Sequence, residues 1–150
     1  MRNGVLRRAP VAVLVLPYTV AIGGDVAYAV FRDRTTSDSP WHVIPGEAPR
    51  DQTPLQAAQR AAWCAARVPA DALYLALDSR AMIPASGSAC DIAQHAFAVR
   101  VMPEEVRSAH AQLEHRWLAY DIAGGLLHRI ADRAALWELH HRFGRHTAFR

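Results

Sequence analysis

The sequence has no lysine: all 17 of its basic residues are arginine, and 29 of its 150 positions are alanine. That pairing reads as the bias of a GC-rich bacterial genome, and it leaves a formal charge of only +3 with a pI near 9.3. Such a balance permits an anionic partner without requiring one. Part of the excess lies at the two ends, in Arg2, Arg7, Arg8, Arg142, Arg145 and Arg150. The C-terminal group carries no recognition motif and no interleaved aromatics, so nucleic acid is not expected as a partner. Cysteine is scarce. Cys64 and Cys90 form no C-x-x-C pair and allow at most one disulfide, which excludes a disulfide scaffold and makes a reducing cytoplasm the expected compartment. Long apolar runs are missing too, and nothing approaches the ~20 residues of a membrane span. Met1 to Arg8 is basic and precedes Val11 to Leu16, but Pro17, Tyr18 and Thr19 end that run early. Its alternating valine and leucine suit a buried strand better than a secretory signal. There is no H-E-x-x-H, no repeat and no low-complexity tract. With 51% hydrophobic and 21% charged residues, the composition excludes wholesale disorder and fits a single domain over 1–150, its core from about residue 8 to 143 between short tails.

Val11 to Tyr18 reads as a first strand and Val26 to Arg32 as a second, joined by a turn at Gly23-Gly24. Alternation puts Tyr28, Val30 and Arg32 on one side of the second strand and Ala27, Ala29 and Phe31 on the other. Trp41 to Ile44 is short and β-prone, and Pro45-Gly46 after it supplies a glycine suited to a turn. Thr53-Pro54-Leu55-Gln56 then combines a capping hydroxyl, a proline at the first helical position and a glutamine at the third, which fixes the start of a helix over Pro54 to Arg67. Leu55, Ala58, Ala62 and Ala65 or Ala66 form its expected inner face. Strands follow at Leu73 to Asp78 and Ile92 to Val101, with a loop around Pro84 to Ser88 between them. After a loop from Met102 to Ala111 come a short strand at His115 to Leu118 and a helical turn from Asp121 to His128. Asp132 is expected to cap a last helix from Arg133 to Phe143, with Leu136, Leu139 and Phe143 inward. The order of elements argues for an α/β protein: a mixed β-sheet covered on both faces in an α/β/α layering.

Trp41 to Val68 resembles the loop-helix signature of the Nudix hydrolase superfamily. That box runs G, five residues, E, seven residues, R-E, an aliphatic, one residue, E-E, one residue, G and an aliphatic. The register fits without a gap: Gly46 takes the glycine, Gln52 the first glutamate, Arg60 the arginine, Ala62 the aliphatic and Val68 the last aliphatic. Trp41 and Pro45 match the W-x-x-P that often precedes the box, and Arg32-Asp33-Arg34, Trp117-Leu118 and Ala134-Ala135-Leu136 also fall where the family has them. The closest flavour is the bacterial dATP and dihydroneopterin triphosphate pyrophosphohydrolase type. The resemblance implies a Nudix-type α/β/α sandwich, a cleft for a nucleotide or other small diphosphate ligand, and, for an active enzyme, magnesium or manganese. Dimers are common among such relatives, so a homodimer is one expectation.

The departures bear on chemistry. In the family, the R-E-x-x-E-E glutamates hold the metal ions; the positions here are Ala61, Cys64 and Ala65. Residues three and four apart share one helical face, so a carboxylate cluster is replaced by a methyl, a thiol and a methyl. Magnesium needs oxygen ligands, and no metal site is expected. Gln52 keeps an oxygen without charge, and Arg67 stands where the box has a glycine. Metal-activated water and the clamping of phosphate charge are each worth several kcal/mol of barrier, so their loss costs many orders of magnitude in rate.

Three functions follow as alternatives. The first is a non-catalytic or strongly impaired nucleotide binder, with Arg32, Arg34, Trp41, Gln52 and Arg60 as substrate-binding candidates. The second is an active pyrophosphohydrolase that recruits Glu47, Asp51, Glu104 or Glu105. The third is a structural or protein-interaction module. Each residue has a plainer reading beside it. Arg60 could brace loop carbonyls, Arg32 and Arg34 could be a solvated strand end, and Trp41 could be core. Cys64 could be a small hydrophobe, having no histidine partner by spacing. His140 and His141, adjacent on a helix, point apart, and His110 and His115 are not spaced as ligands of one ion, so no histidine metal site is expected.

Overall fold

Seven consecutive buried residues, Ala12 to Tyr18, make the first strand a central one, because both of its faces must be covered. In the computed structural model, which describes residues 10–84 and 91–147, that strand is β1, Val11–Val20. It is followed by β2 (Val26–Asp33), β3 (Ile44–Ala48), helix α1 (Pro54–Ala66), β4 (Leu73–Pro84), β5 (Asp91–Arg100), β6 (Leu113–Leu118), α2 (Tyr120–Leu126) and α3 (Ile130–Thr147). The six strands form one mixed sheet, five of them in the order β4-β5-β1-β2-β6 and β3 joined to β1 off that path. β1 runs parallel to β5, pairs with β2 through its C-terminal end, and pairs with β3 through Val11 to Val15. The loop expected at Pro84 to Ser88 lies, apart from Pro84, outside the described residues, as do Cys90 and the basic segment before Pro10.

Alternation along the strands divides the core in two. Val13, Val15, Ala29, Phe31, Phe97 and Val99 face α1, which contributes Ala57, Ala58, Ala62 and Ala66. Leu14, Leu16, Tyr28, Val30 and Ala98 face α3, which contributes Ala135, Leu136 and Leu139. The α/β/α layering and the split faces of β2 are as the sequence implies. The inner face of α1 differs at Leu55, which is 42% exposed, while Ala57 is buried in its stead. Every buried residue of α1 is alanine, which lets the helix lie close to the sheet.

Several boundaries also shift: the strand expected at Leu73 to Asp78 runs on to Pro84, and the one expected from His115 begins at Leu113. Trp41 and His42 make only isolated bridges, to Leu127 and Phe31, and the strand proper is Ile44–Ala48. Pro45-Gly46 therefore sits within a strand and not at a turn; the missing proline N–H is tolerated because β3 pairs with β1 alone. Gly46 is required for a different reason from backbone freedom. A Cβ there would stand 2.6 Å from the Cβ of Ala61 and 3.2 Å from a methyl of Val13. The final helix begins at Ile130, so Asp132 lies inside its first turn and does not cap it. Its buried carboxylate accepts the N–H of Val43 at 3.2 Å, tying α3 to the segment before β3, and burial raises its pKa.

Candidate functional site

Helix α1 starts where its sequence dictates. Thr53 accepts the N–H of Gln56 and the Gln56 side chain accepts the N–H of Thr53, completing the capping box. It ends at Arg67, which adopts a left-handed conformation with φ 57° and sends its N–H to the carbonyls of Ala62 and Trp63. A glycine would be relaxed there; arginine is not. Between these ends, Ala61 and Ala65 are half-buried against the first core and Cys64 is exposed.

Magnesium or manganese, implied by the resemblance, would need a cluster of oxygen donors at these positions. Two methyl groups and a thiol do not fit, and among the described residues no three His, Cys, Asp or Glu side chains gather in reach of one ion. The four candidate acids do not converge either. Glu47 pairs with Ala12 at one end of β1, whereas Glu104 and Glu105 form a 3-10 turn just beyond Arg100, which pairs with Tyr18. Those two points on β1 are about 20 Å apart at the rise of a strand. Glu105 is engaged locally, accepting the N–H of Met102 at 2.7 Å, and Asp51 is exposed in the turn before α1.

The arginine candidates separate as well. Arg32 follows Tyr28 and Val30 onto the α3 face, away from α1. It donates through Nε and Nη2 to Glu114 at 3.0 and 2.6 Å and lies over the Trp41 ring at 4.6 Å. Arg116 lies over the same ring at 5.2 Å. Trp41 is therefore a core residue, 7% exposed, and not a free face for a base. The bonded Arg32 holds the Glu114 carboxyl below its ordinary pKa. Arg60 is exposed and makes no hydrogen bond or ion pair with any described residue, so it braces no loop carbonyl. Gln52 sits by the start of α1 in a shallow cavity with Arg50 and His95, its Oε1 buried and unpartnered.

Arg34 is placed differently. Its backbone N–H bonds the carbonyl of Gln112 at 2.6 Å and its guanidinium reaches that of Ala111 at 3.4 Å, so it is held against the loop before β6. That loop is clamped to the last turn of α1 by two bonds, from Arg107 N–H to the Ala66 carbonyl at 2.9 Å and from Ala109 N–H to the Ala65 carbonyl at 3.0 Å. Beside it lies a cavity of about 550 Å³ lined by Arg34, Ser108, His110, Leu113, Glu114 and His115. Ser108 Oγ and His115 Nδ1 are 2.9 Å apart, and burial lowers the pKa of His115. The cavity offers donors from Arg34 and His110, while the one acid in it, Glu114, is already neutralised by Arg32. It is chemically suited to an anion. His110 and His115, set aside as metal ligands on their spacing, enter it because the loop folds back along α1.

No protein-family profile matches the chain, and no curated protein sequence does. Solved structures do. A Listeria monocytogenes protein assigned as a Nudix hydrolase superposes over 91% of this chain and 96% of its own, with a TM-score of 0.81 and 22% identity. The chain has the Nudix fold. The Escherichia coli dihydroneopterin triphosphate pyrophosphohydrolase matches with a TM-score of 0.69 at 15% identity, over 84% of this chain and 91% of its own. The Nudix domain of Shewanella oneidensis NrtR, solved with ADP ribose, gives 0.69 at 8% identity over 95% and 93%. Helix α1 of this fold carries Ala61, Cys64 and Ala65. No helix of the described residues is long and apolar enough to cross a membrane.

Proposed function

We propose that this chain is a nucleotide or small-diphosphate binder, built on the Nudix fold as a single domain, that does not hydrolyse its ligand. The observation that carries this reading is the face of α1, where Ala61, Cys64 and Ala65 leave no oxygen cluster for a divalent ion while the fold around them is intact. The cavity of Arg34, Ser108, His110 and His115 supports it by offering an anion site that needs no metal. A Nudix domain solved with ADP ribose shows that this fold can be found with a diphosphate ligand bound. One free thiol among the described residues, Cys64, suits a reducing cytoplasm.

Thermal-shift titration with a nucleoside triphosphate panel and ADP ribose, with and without magnesium or manganese, tests the reading. A ligand at a hundred times its Kd stabilises by about 2.7 kcal/mol. For a domain of this size that is a rise of roughly 5–10 °C. The expected result is a shift independent of metal and lost in Arg34→Ala. Magnesium-dependent release of orthophosphate or pyrophosphate at ordinary enzyme rates overturns it, and the absence of any shift points to an interaction module.

A further inference from the structure

At the other end of β1, near its partner Arg100 and away from Arg34, lies a second cavity of about 970 Å³. It is formed by the β1–β2 hairpin from Thr19 to Ala27, by Met102 and Pro103, and by Tyr120 and Asp121 at the start of α2. His140 and Phe143 of α3 close it. Its volume falls at the upper end of the range for small-molecule sites, and its walls are mainly apolar.

Three features set the chemistry of a ligand. Tyr120 and Phe143 bring aromatic rings to the cavity, and Tyr120 is fixed by parallel stacking on His140, their centroids 3.8 Å apart at 7°. His140 is fixed in turn by Tyr28, whose hydroxyl lies 3.1 Å from its Nδ1. The charged groups in the lining are Asp25 and Asp121, and neither side chain makes a hydrogen bond or ion pair with any described residue. Among the described residues no arginine lines the cavity. Two carboxylates with no hydrogen-bond or ion-pair partner among the described residues, beside aromatic faces, complement a cation and disfavour a phosphate.

We propose that this cavity binds a small organic cation, a protonated amine or amidine carried on a flat apolar body. Its ammonium or amidinium group pairs with Asp25 and Asp121, and its body lies against Tyr120, Phe143 and the hairpin's apolar side chains. The site is separate from the anion cavity, so one chain can take both ligands.

Titration of the full chain with tryptamine and with its neutral alcohol analogue tryptophol, followed by calorimetry and by amide shifts, tests this. Tryptamine should bind at least ten-fold more tightly than tryptophol and move the resonances of Val20, Ile22 and Ala27. The exposed pair Asp25→Asn and Asp121→Asn should lose that preference at unchanged thermal stability, while Phe143→Ala weakens both probes. Equal affinity for the two probes overturns the proposal. So does undiminished tryptamine binding in the double variant, no binding at all, or shifts elsewhere on the molecule. Nucleotide binding in the Asp25→Asn, Asp121→Asn variant reports on the anion site independently.

Discussion

Gly46→Ala tests how α1 is seated. The added Cβ would meet the Cβ of Ala61 at 2.6 Å, where ordinary contact begins near 3.4 Å, so α1 and β3 must separate by about 0.8 Å. The methyl of Val13 at 3.2 Å blocks the simplest relief on the sheet side. Overpacking of this kind costs about 1–3 kcal/mol. Replacing a glycine whose φ is ordinary returns roughly 0.4–1 kcal/mol through the unfolded chain. A net loss of about 1–2 kcal/mol is expected, a fall in Tm of roughly 2–8 °C by differential scanning calorimetry. Because the loop before β6 hangs on the carbonyls of Ala65 and Ala66, ligand binding at Arg34 should weaken with it. Ala61→Gly removes the colliding methyl, so in a double-mutant cycle the pair should be more stable than the sum of the single changes by about 1 kcal/mol. Additivity within roughly 0.3 kcal/mol, or a Gly46→Ala protein as stable as the parent, would refute the close approach.

Other consequences are as direct. Arg67→Gly relieves the left-handed C-cap but loses the stacking of Arg67 on Trp63 at 5.2 Å, leaving a net gain of about 0.5–1 kcal/mol; a loss in urea denaturation contradicts the strain. Glu138 accepts the N–H groups of Asp78 and Ser79 at 2.7 and 2.8 Å and also pairs with Arg142, fastening α3 to an irregularity in β4. Burial raises its pKa, but these bonds outweigh it and the net direction is down. Glu138→Ala should cost about 3 kcal/mol, near 6–12 °C in Tm; a change within 2 °C would show that water replaces the carboxylate without loss. Burial, the leading cause in each case, lowers the pKa of His95, His115 and His140. The folded state binds these protons less readily than the unfolded chain, so the associated stability is present above the ordinary histidine pKa of about 6.5 and is lost as pH falls through the lower folded values. Tm should decline from pH 7.5 to 5.5, and a flat profile would contradict their burial.

Much of the fold was legible because its signals are local. The Thr53–Gln56 capping box and the alternation along β1 and β2 each occupy a few adjacent residues, and both recur in the structure. What failed depended on distance through space. Gly46 looked like a turn glycine because nothing in the chain reveals that Ala61 will lie against it. Arg32 reads as a ligand contact or a solvated strand end, whereas the structure holds it on the α3 face between Glu114 and the Trp41 ring. The pairing of Glu138 with β4 joins residues about 60 positions apart, and no pattern announces it. The anion cavity was half visible: Arg34 was a candidate, but Ser108, His110 and His115 join it only because their loop doubles back along α1.

The face of α1 can be tested most directly by titrating the purified chain with manganese and following the free ion by electron paramagnetic resonance, alone and with a bound nucleotide. The signal should fall no further than the nucleotide's own complexation explains, whereas an Ala61→Glu, Cys64→Glu, Ala65→Glu protein should remove manganese stoichiometrically. Stoichiometric capture by the parent chain would contradict the account, because it would require a carboxylate cluster that the described residues do not assemble.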